Sequence, residues 1–258
     1  VLEKFPVYMT SFKQNRLISV YLPDSYTEEN KRFPVMYMHD GQNVFDDEGA
    51  IGGGSLGMKD YLDKSGLEII VVAVDQNPEG DERINETCPW VNGEVSKQIL
   101  GYASASGGRG KEYIDFIVEE LKPLIDEKYR TIENHTSMAG ISLGGLISTY
   151  AACRYPDIFK RIAVISPGFY RNQEEIEKLL QASDLSAIEK FYMDFGTKEV
   201  GADEEMNQIF LDLTNSVYQI LSEKLTDLHF QLVEDAEHSY RFFRKRIPKV
   251  LSYLYSDR

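Results

Sequence analysis

Short apolar stretches rich in β-branched and aromatic residues recur along the chain, separated in its second half by longer segments with helical spacing. Phe5–Thr10 and Arg16–Leu22 read as two strands around a short polar turn, the second stopped by Pro23 and Asp24. Pro34–His39 is a third strand. Leu67–Val74 is a nearly continuous apolar run, as expected of a parallel strand buried on both faces. Thr136–Ile141, Arg161–Ile165, Phe191–Phe195 and His229–Val233 complete a set of eight.

Helical spacing is read around Ser55–Lys64 and over Lys111–Arg130, where Tyr113, Phe116, Ile117, Leu121 and Leu124 share one face. Pro123 should kink or subdivide that helix, because it has no N–H to donate. Leu143–Tyr155, Gln173–Gln181, Asp203–Leu225 and Tyr240–Tyr255 are the remaining helices, with Asp203 placed as an N-cap. From Asp75 to Gly110 the pattern dissolves into Gly, Pro, Asn and charges. A connection of that length without regular structure is uncommon in a compact domain and usually functional, so residues 75–110 are expected to be a long loop covering the site. No repeat or linker divides the chain, which predicts one domain over residues 1–258. Strands that alternate with helices from the third onward predict a mostly parallel eight-stranded sheet flanked by helices.

The chemistry converges on Gly140-x-Ser142-x-Gly144, which has the form of a strand–turn–helix nucleophile elbow. Such a motif arises by chance in roughly one chain in ten of this length, so its surroundings must decide. The motif follows the fifth strand, Gly196-Thr197-Lys198-Glu199 follows the seventh, and His238 follows the eighth. Serine, acid, histidine is the chain order of the α/β-hydrolase fold. A serine hydroxyl is a poor nucleophile and needs a base, which in turn needs a partner to fix its tautomer.

Of the four histidines, His238 is the expected base. His229 lies within the last strand and reads as a packed or edge residue. His135 sits at the wrong end of the elbow strand, and His39 reads as a structural hydrogen-bonding group. Glu199 is the expected acid, since Asp194 lies inside its strand and Asp203 caps a helix. The backbone N–H of Leu143 and that of Gln42, in the loop after the third strand, are the expected oxyanion donors. Gly41 should permit the bend in that loop and Asp40 should brace it.

Composition narrows the class. Lys plus Arg number 28 against 42 Asp plus Glu, a net charge of −14. Such a chain repels phosphate backbones and anionic membranes, so neither nucleic acid nor membrane is an expected partner. No apolar run approaches the length of a transmembrane helix. Two cysteines, Cys88 and Cys153, do not make a disulfide framework; Cys153 reads as a small core residue and Cys88 as a loop residue. No metal-ligand spacing occurs, and Gly107-Gly108-Arg109-Gly110 reads as a flexible loop; no cofactor or metal is expected. No signal-peptide pattern is present, so cytoplasmic residence is expected, with a secreted form left open because residue 1 is Val.

Taken together, these marks resemble the esterase D / enterochelin esterase-like family of α/β-hydrolases. The resemblance rests on Met38-His39-Asp40-Gly41-Gln42-Asn43, Arg83 with Pro89-Trp90, Gly140-Ile141-Ser142-Leu143-Gly144-Gly145, Ser166-Pro167, Gly196-Thr197-Lys198-Glu199 and Glu237-His238-Ser239. It implies a triad of Ser142, His238 and Glu199, with Gln42 and Leu143 at the oxyanion hole. Many relatives carry Asp at the position of Glu199. The implied substrate is a small-molecule ester, a siderophore-type or small acyl ester first and a carbohydrate acetyl or feruloyl ester next. Arg83 and Trp90 are candidates to clamp an aromatic or anionic group of it. Acyl transfer to an alcohol, and a non-catalytic binding module on the same scaffold, remain the alternatives.

Overall fold

The structure, a computed structural model, describes residues 1–256. Eight strands form one sheet: β1 (Leu2–Met9), β2 (Gln14–Tyr21), β3 (Phe33–Met38), β4 (Ile70–Val74), β5 (Thr131–Ile141), β6 (Phe159–Ile165), β7 (Lys190–Gly196) and β8 (Leu228–Val233). Their spatial order is β1-β2-β4-β3-β5-β6-β7-β8. β1 pairs with β2, and β2 with β4, in antiparallel fashion, while every pair from β4 through β3 to β8 is parallel. All eight strands expected from the apolar runs are present.

The helices are α1 (Met58–Ser65), α2 (Glu82–Thr87), α3 (Glu94–Leu100), α4 (Gly110–Phe116), α5 (Lys122–Lys128), α6 (Leu143–Arg154), α7 (Gln173–Ala182), α8 (Glu204–Lys224), α9 (Tyr240–Arg244) and α10 (Ile247–Tyr255). The strand period of two sorts side chains to opposite faces of the sheet. In β3, Val35 and Tyr37 join the core under α4–α8 with Ile114, Leu146, Ile147, Leu180 and Val217. Met36 and Met38 join the opposite core with Met58 and Leu62 of α1 and Ile247, Val250 and Leu254 of α10. Packing on both faces explains why the central strands are almost wholly apolar.

Three expectations change. Residues 75–110 are not structureless: α2 and α3 form there, too short for a hydrophobic period to reveal them and stabilised by packing rather than propensity. The helix expected over Lys111–Arg130, kinked or subdivided at Pro123, is α4 and α5 joined through a π-helical turn at Ile117–Leu121, just before Pro123, with the backbone helical throughout. The last helix divides into α9 and α10, with Pro248 in the first turn of α10. Asp203 caps α8 as expected, its Oδ1 accepting the Met206 N–H at 3.0 Å. Among the described residues no helix is long and apolar enough to cross a membrane.

Candidate active site

The elbow forms between β5 and α6. Ser142 has φ 58° and ψ −121°, a conformation that costs a non-glycine residue about 1–3 kcal/mol and that the surrounding packing must impose. Its N–H donates to Ile165 O at 3.0 Å, and its C=O accepts from Gly145 and Gly168 at 2.9 and 2.8 Å. The glycines of the motif are not equivalent. A Cβ on Gly140 would lie 2.0 Å from Gly144 O, and one on Gly145 would lie 2.9 Å from Pro167 Cβ, whereas Gly144 has ordinary clearance of 3.5 Å. Close strand–helix approach therefore demands glycine before the serine and at Gly145, more than at the motif's last position.

Two other loops meet this turn at the carboxyl edge of the sheet. After β7, Thr197 N–H donates to Val233 O and Lys198 N–H to Ala236 O, at 3.0 and 3.1 Å, so the turns after β7 and β8 are tied together. Gly196 is required for this, because a Cβ there would stand 2.2 Å from Ala236 O. The result brings His238 Nδ1 to 2.6 Å from Glu199 Oε2. Glu199 Oε1 accepts from the Gly196 N–H at 2.6 Å and from the Ser166 hydroxyl at 2.5 Å. Burial alone would raise its pKa, but the His238 bond and charge, the Ser166 hydroxyl and the Gly196 N–H outweigh burial and hold it below its ordinary value. Asp194 does not reach His238. It is fully buried, taking the Tyr192 hydroxyl at 2.7 Å and the Ser166 N–H at 3.1 Å. Glu237 is exposed to solvent.

A cavity of about 200 Å³ is lined by Ser142, His238 and Glu199 together with Ser166, Pro167, Gly168, Tyr170, Phe195, Val200 and Phe210. Larger hollows elsewhere lie away from Ser142, so the chemistry rather than size singles this one out. Tyr170 and Phe210, both on its wall, meet edge to face at 5.1 Å.

The loop after β3 stands beside the start of α6. Its left-handed bend falls on Asp40, with φ 55°, rather than on Gly41. Gly41 is needed for space, since a Cβ would lie 2.6 Å from Asp75 Oδ1 and 2.8 Å from Asp75 N. Arg83 grips Asp40 through both carboxylate oxygens, Nε–Oδ1 at 2.7 Å and Nη2–Oδ2 at 2.9 Å. The Gln42 side chain clamps the Gln76 backbone, donating to its C=O at 2.8 Å and accepting its N–H at 2.9 Å. Among the described residues, neither the Gln42 N–H nor the Leu143 N–H is engaged by another acceptor.

Arg83 and Trp90 are absent from the lining of the Ser142 cavity. The Arg83 guanidinium is committed to Asp40, and Trp90 packs edge-on against Tyr150 at 5.6 Å. His229 stacks on Tyr192 and meets Tyr253 at a tilt, each 5.5 Å away. Cys88 is fully buried, and burial pushes its thiol up to about 12. Among the described residues no group of three or more His, Cys, Asp or Glu side chains is placed to hold a metal ion.

His39 braces the site from below. Ser148 Oγ donates to Gly144 O at 2.7 Å, so it accepts from His39 Nε2 at 3.0 Å, leaving Nδ1 to accept from Tyr113 OH at 2.7 Å. Burial lowers its pKa from 6.5 to about 4. Between those values an unfolded chain takes up a proton that the folded one refuses, so stability falls on acidification through that window. The loss from pH 7 to pH 5 is expected to be about 2 kcal/mol. Urea unfolding at the two pH values measures it, and His39→Gln should remove that part of the slope.

A mostly parallel, eight-stranded sheet with a serine on a strained strand-to-helix turn defines an α/β-hydrolase. The chain belongs to the family described as "Putative esterase", whose model matches residues 9–254. It is an esterase-family hydrolase. It is 28% identical over 247 residues to uncharacterized protein YbbA of Bacillus subtilis (strain 168), the match covering 93% of each chain. Its fold is similar to that of an IroE-like serine hydrolase from Shewanella oneidensis, with TM-score 0.79 and 17% identity over 100% of this chain and 81% of the other. It is also similar to siderophore hydrolase EstA from Aspergillus nidulans, with TM-score 0.73 and 18% identity over 96% and 93%.

Residues that the sequence reading missed cluster behind Glu199. Ser166 stood in the Ser166-Pro167 mark without a role, while Tyr192 and Arg246 carried no motif at all.

Proposed function

We propose that the protein is a serine carboxylic-ester hydrolase that works through an acyl-enzyme. The observation that carries this reading is the 2.6 Å contact between His238 Nδ1 and Glu199 Oε2 on the wall of the cavity that Ser142 also lines. With Nδ1–H donated to the carboxylate, Nε2 is the basic nitrogen. It takes the Ser142 proton as Oγ attacks the acyl carbonyl and returns that proton to the leaving alcohol. Water activated by the same nitrogen then hydrolyses the acyl-serine. The Leu143 N–H, at the positive end of α6, and the Gln42 N–H receive the oxyanion.

The cavity supports a compact acyl group. At about 200 Å³ it is smaller than a drug-sized pocket, and Pro167, Phe195, Val200 and Phe210 make its walls apolar. The siderophore hydrolases among the similar folds favour a siderophore-type or small acyl ester, with a carbohydrate acetyl or feruloyl ester as the near alternative. p-Nitrophenyl acetate and butyrate should be hydrolysed with kcat/KM at least about tenfold above the palmitate ester, because a long chain forfeits burial in so short a cavity. Faster turnover of the palmitate ester would refute the compact acyl site. Acyl transfer would show itself as new esters when acceptor alcohols are added.

A further inference from the structure

Behind the site runs a buried polar chain that the reaction scheme leaves unused. Arg246, at the junction of α9 and α10, reaches under the sheet's carboxyl edge with its side chain 4% exposed. Its Nη1 donates to Ser166 Oγ at 2.7 Å and lies 3.3 Å from Asp194 Oδ1. Guanidinium has donors only, so Ser166 Oγ accepts from Arg246 and must point its own hydrogen elsewhere. The remaining partner is Glu199 Oε1 at 2.5 Å. The direction of the chain is thereby set: Arg246 to Ser166 to Glu199 to His238.

Two observations argue that more than packing is at stake. Arg246 Nε and Nη2 have no hydrogen-bond partner among the described residues. A buried cation so sparsely bonded is a poor stabilising device, and an apolar side chain of similar volume would serve the fold as well. Ser166 also holds φ 45°, a left-handed conformation rare for a non-glycine residue, which its backbone bonds to Asp194 maintain.

We propose that Ser166 and Arg246 are positioning residues for the catalytic acid: Arg246 orients the Ser166 hydroxyl so that it locks Glu199 Oε1, leaving Oε2 aimed at His238. This rests on the Ser142–His238–Glu199 reading above. The charged and titratable groups facing Glu199 are His238, Asp194, Tyr192 and Arg246, with the exposed Lys198–Asp235 pair outside them. Burial pushes Asp194 up to about 6 even beside Arg246, whose charge holds it down, so removing that cation favours the protonated acid further.

The test compares Ser166→Ala, Arg246→Met, Arg246→Lys and the Ser166→Ala/Arg246→Met double variant with wild type on p-nitrophenyl butyrate, with Ser142→Ala in parallel. Ser166→Ala should lower kcat about 10- to 100-fold at little change in KM, the scale known for outer partners of metal-bound histidines. Loss of a donor at Oε1 throws more of the carboxylate's charge onto the imidazole, so the acidic limb of kcat/KM should move to higher pH. Arg246→Lys, which keeps a donor, should restore most of what Arg246→Met loses. The double variant should lose no more than the worse single one, because both act through one hydroxyl. A merely structural role predicts lower melting temperatures with an unmoved pH profile.

If Ser142→Ala abolishes turnover while Ser166→Ala keeps the wild-type kcat and acidic limb, the positioning chain is wrong and the triad stands. Losses that multiply in the double variant refute it as well. If Ser142→Ala retains turnover, the triad and the chain fall together. Should Arg246→Met fail to fold, Ser166→Ala and its pH profile decide alone.

Discussion

Ser142→Ala is expected to lower kcat for p-nitrophenyl butyrate by about 10⁶-fold while leaving the melting temperature nearly unchanged. The size follows from what is lost. Without Oγ no acyl-enzyme forms, and the remaining groups can only hold the ester beside water. Oxyanion donors and binding alone leave about 10³–10⁴-fold over the uncatalysed rate. The fold should tolerate the change because the strain at Ser142, with φ 58°, is imposed by the backbone bonds to Ile165, Gly145 and Gly168 and not by the side chain. Steady-state rates and the pre-steady-state burst of p-nitrophenol are the measurements. Equal trace rates in both proteins would sink the serine mechanism for simple esters and raise the binding-module reading.

Glu199→Gln is expected to lower kcat about 10⁴-fold, through the tautomer of His238 rather than through charge alone. At Oε1 two donors converge, the Gly196 N–H and the Ser166 hydroxyl. An amide placed there must turn its carbonyl oxygen to that end, because an NH₂ group would face two donors. The NH₂ then meets His238 Nδ1, which is forced to accept. The proton moves to Nε2, the nitrogen that must be bare to receive the Ser142 proton. Glu199→Asp keeps the charge but shortens the reach and should be less damaging than Gln. The measurement is kcat for both variants at the wild-type pH optimum. A loss under about tenfold for Gln would mean that a Ser–His pair suffices.

The strands were legible because their signal is local and strong. Val35–Met38 and Ile70–Val74 are buried on both faces of the sheet, so nothing but apolar residues is tolerated there. That Ser142, Glu199 and His238 come together at one edge of the sheet was legible for a related reason. Each follows a recognisable strand at once or after a short turn, and the carboxyl ends of parallel strands meet on one edge. Helices α2 and α3 were not legible, because each has at most two turns and takes its stability from contacts with distant segments. Val95 N–H, for example, donates to Glu174 Oε1 at 2.6 Å across 79 residues. Arg83 carried a family mark but no indication of direction; only the fold turns it onto Asp40.

By itself the chain's pattern determined the strands, their parallel assembly and the order in which serine, acid and histidine arrive at one edge. These depend on periodicity and on turn residues, which act over a few positions. Only the tertiary structure decided that Gly140 and Gly196, rather than Gly144, are held to glycine by close contact, that Arg83 turns onto Asp40, and that Arg246 reaches Ser166. Each of these is a contact between segments far apart along the chain, where the deciding quantities are clearance of an ångström or less and the direction of a hydrogen bond. Neither quantity leaves a periodic trace in the order of residues.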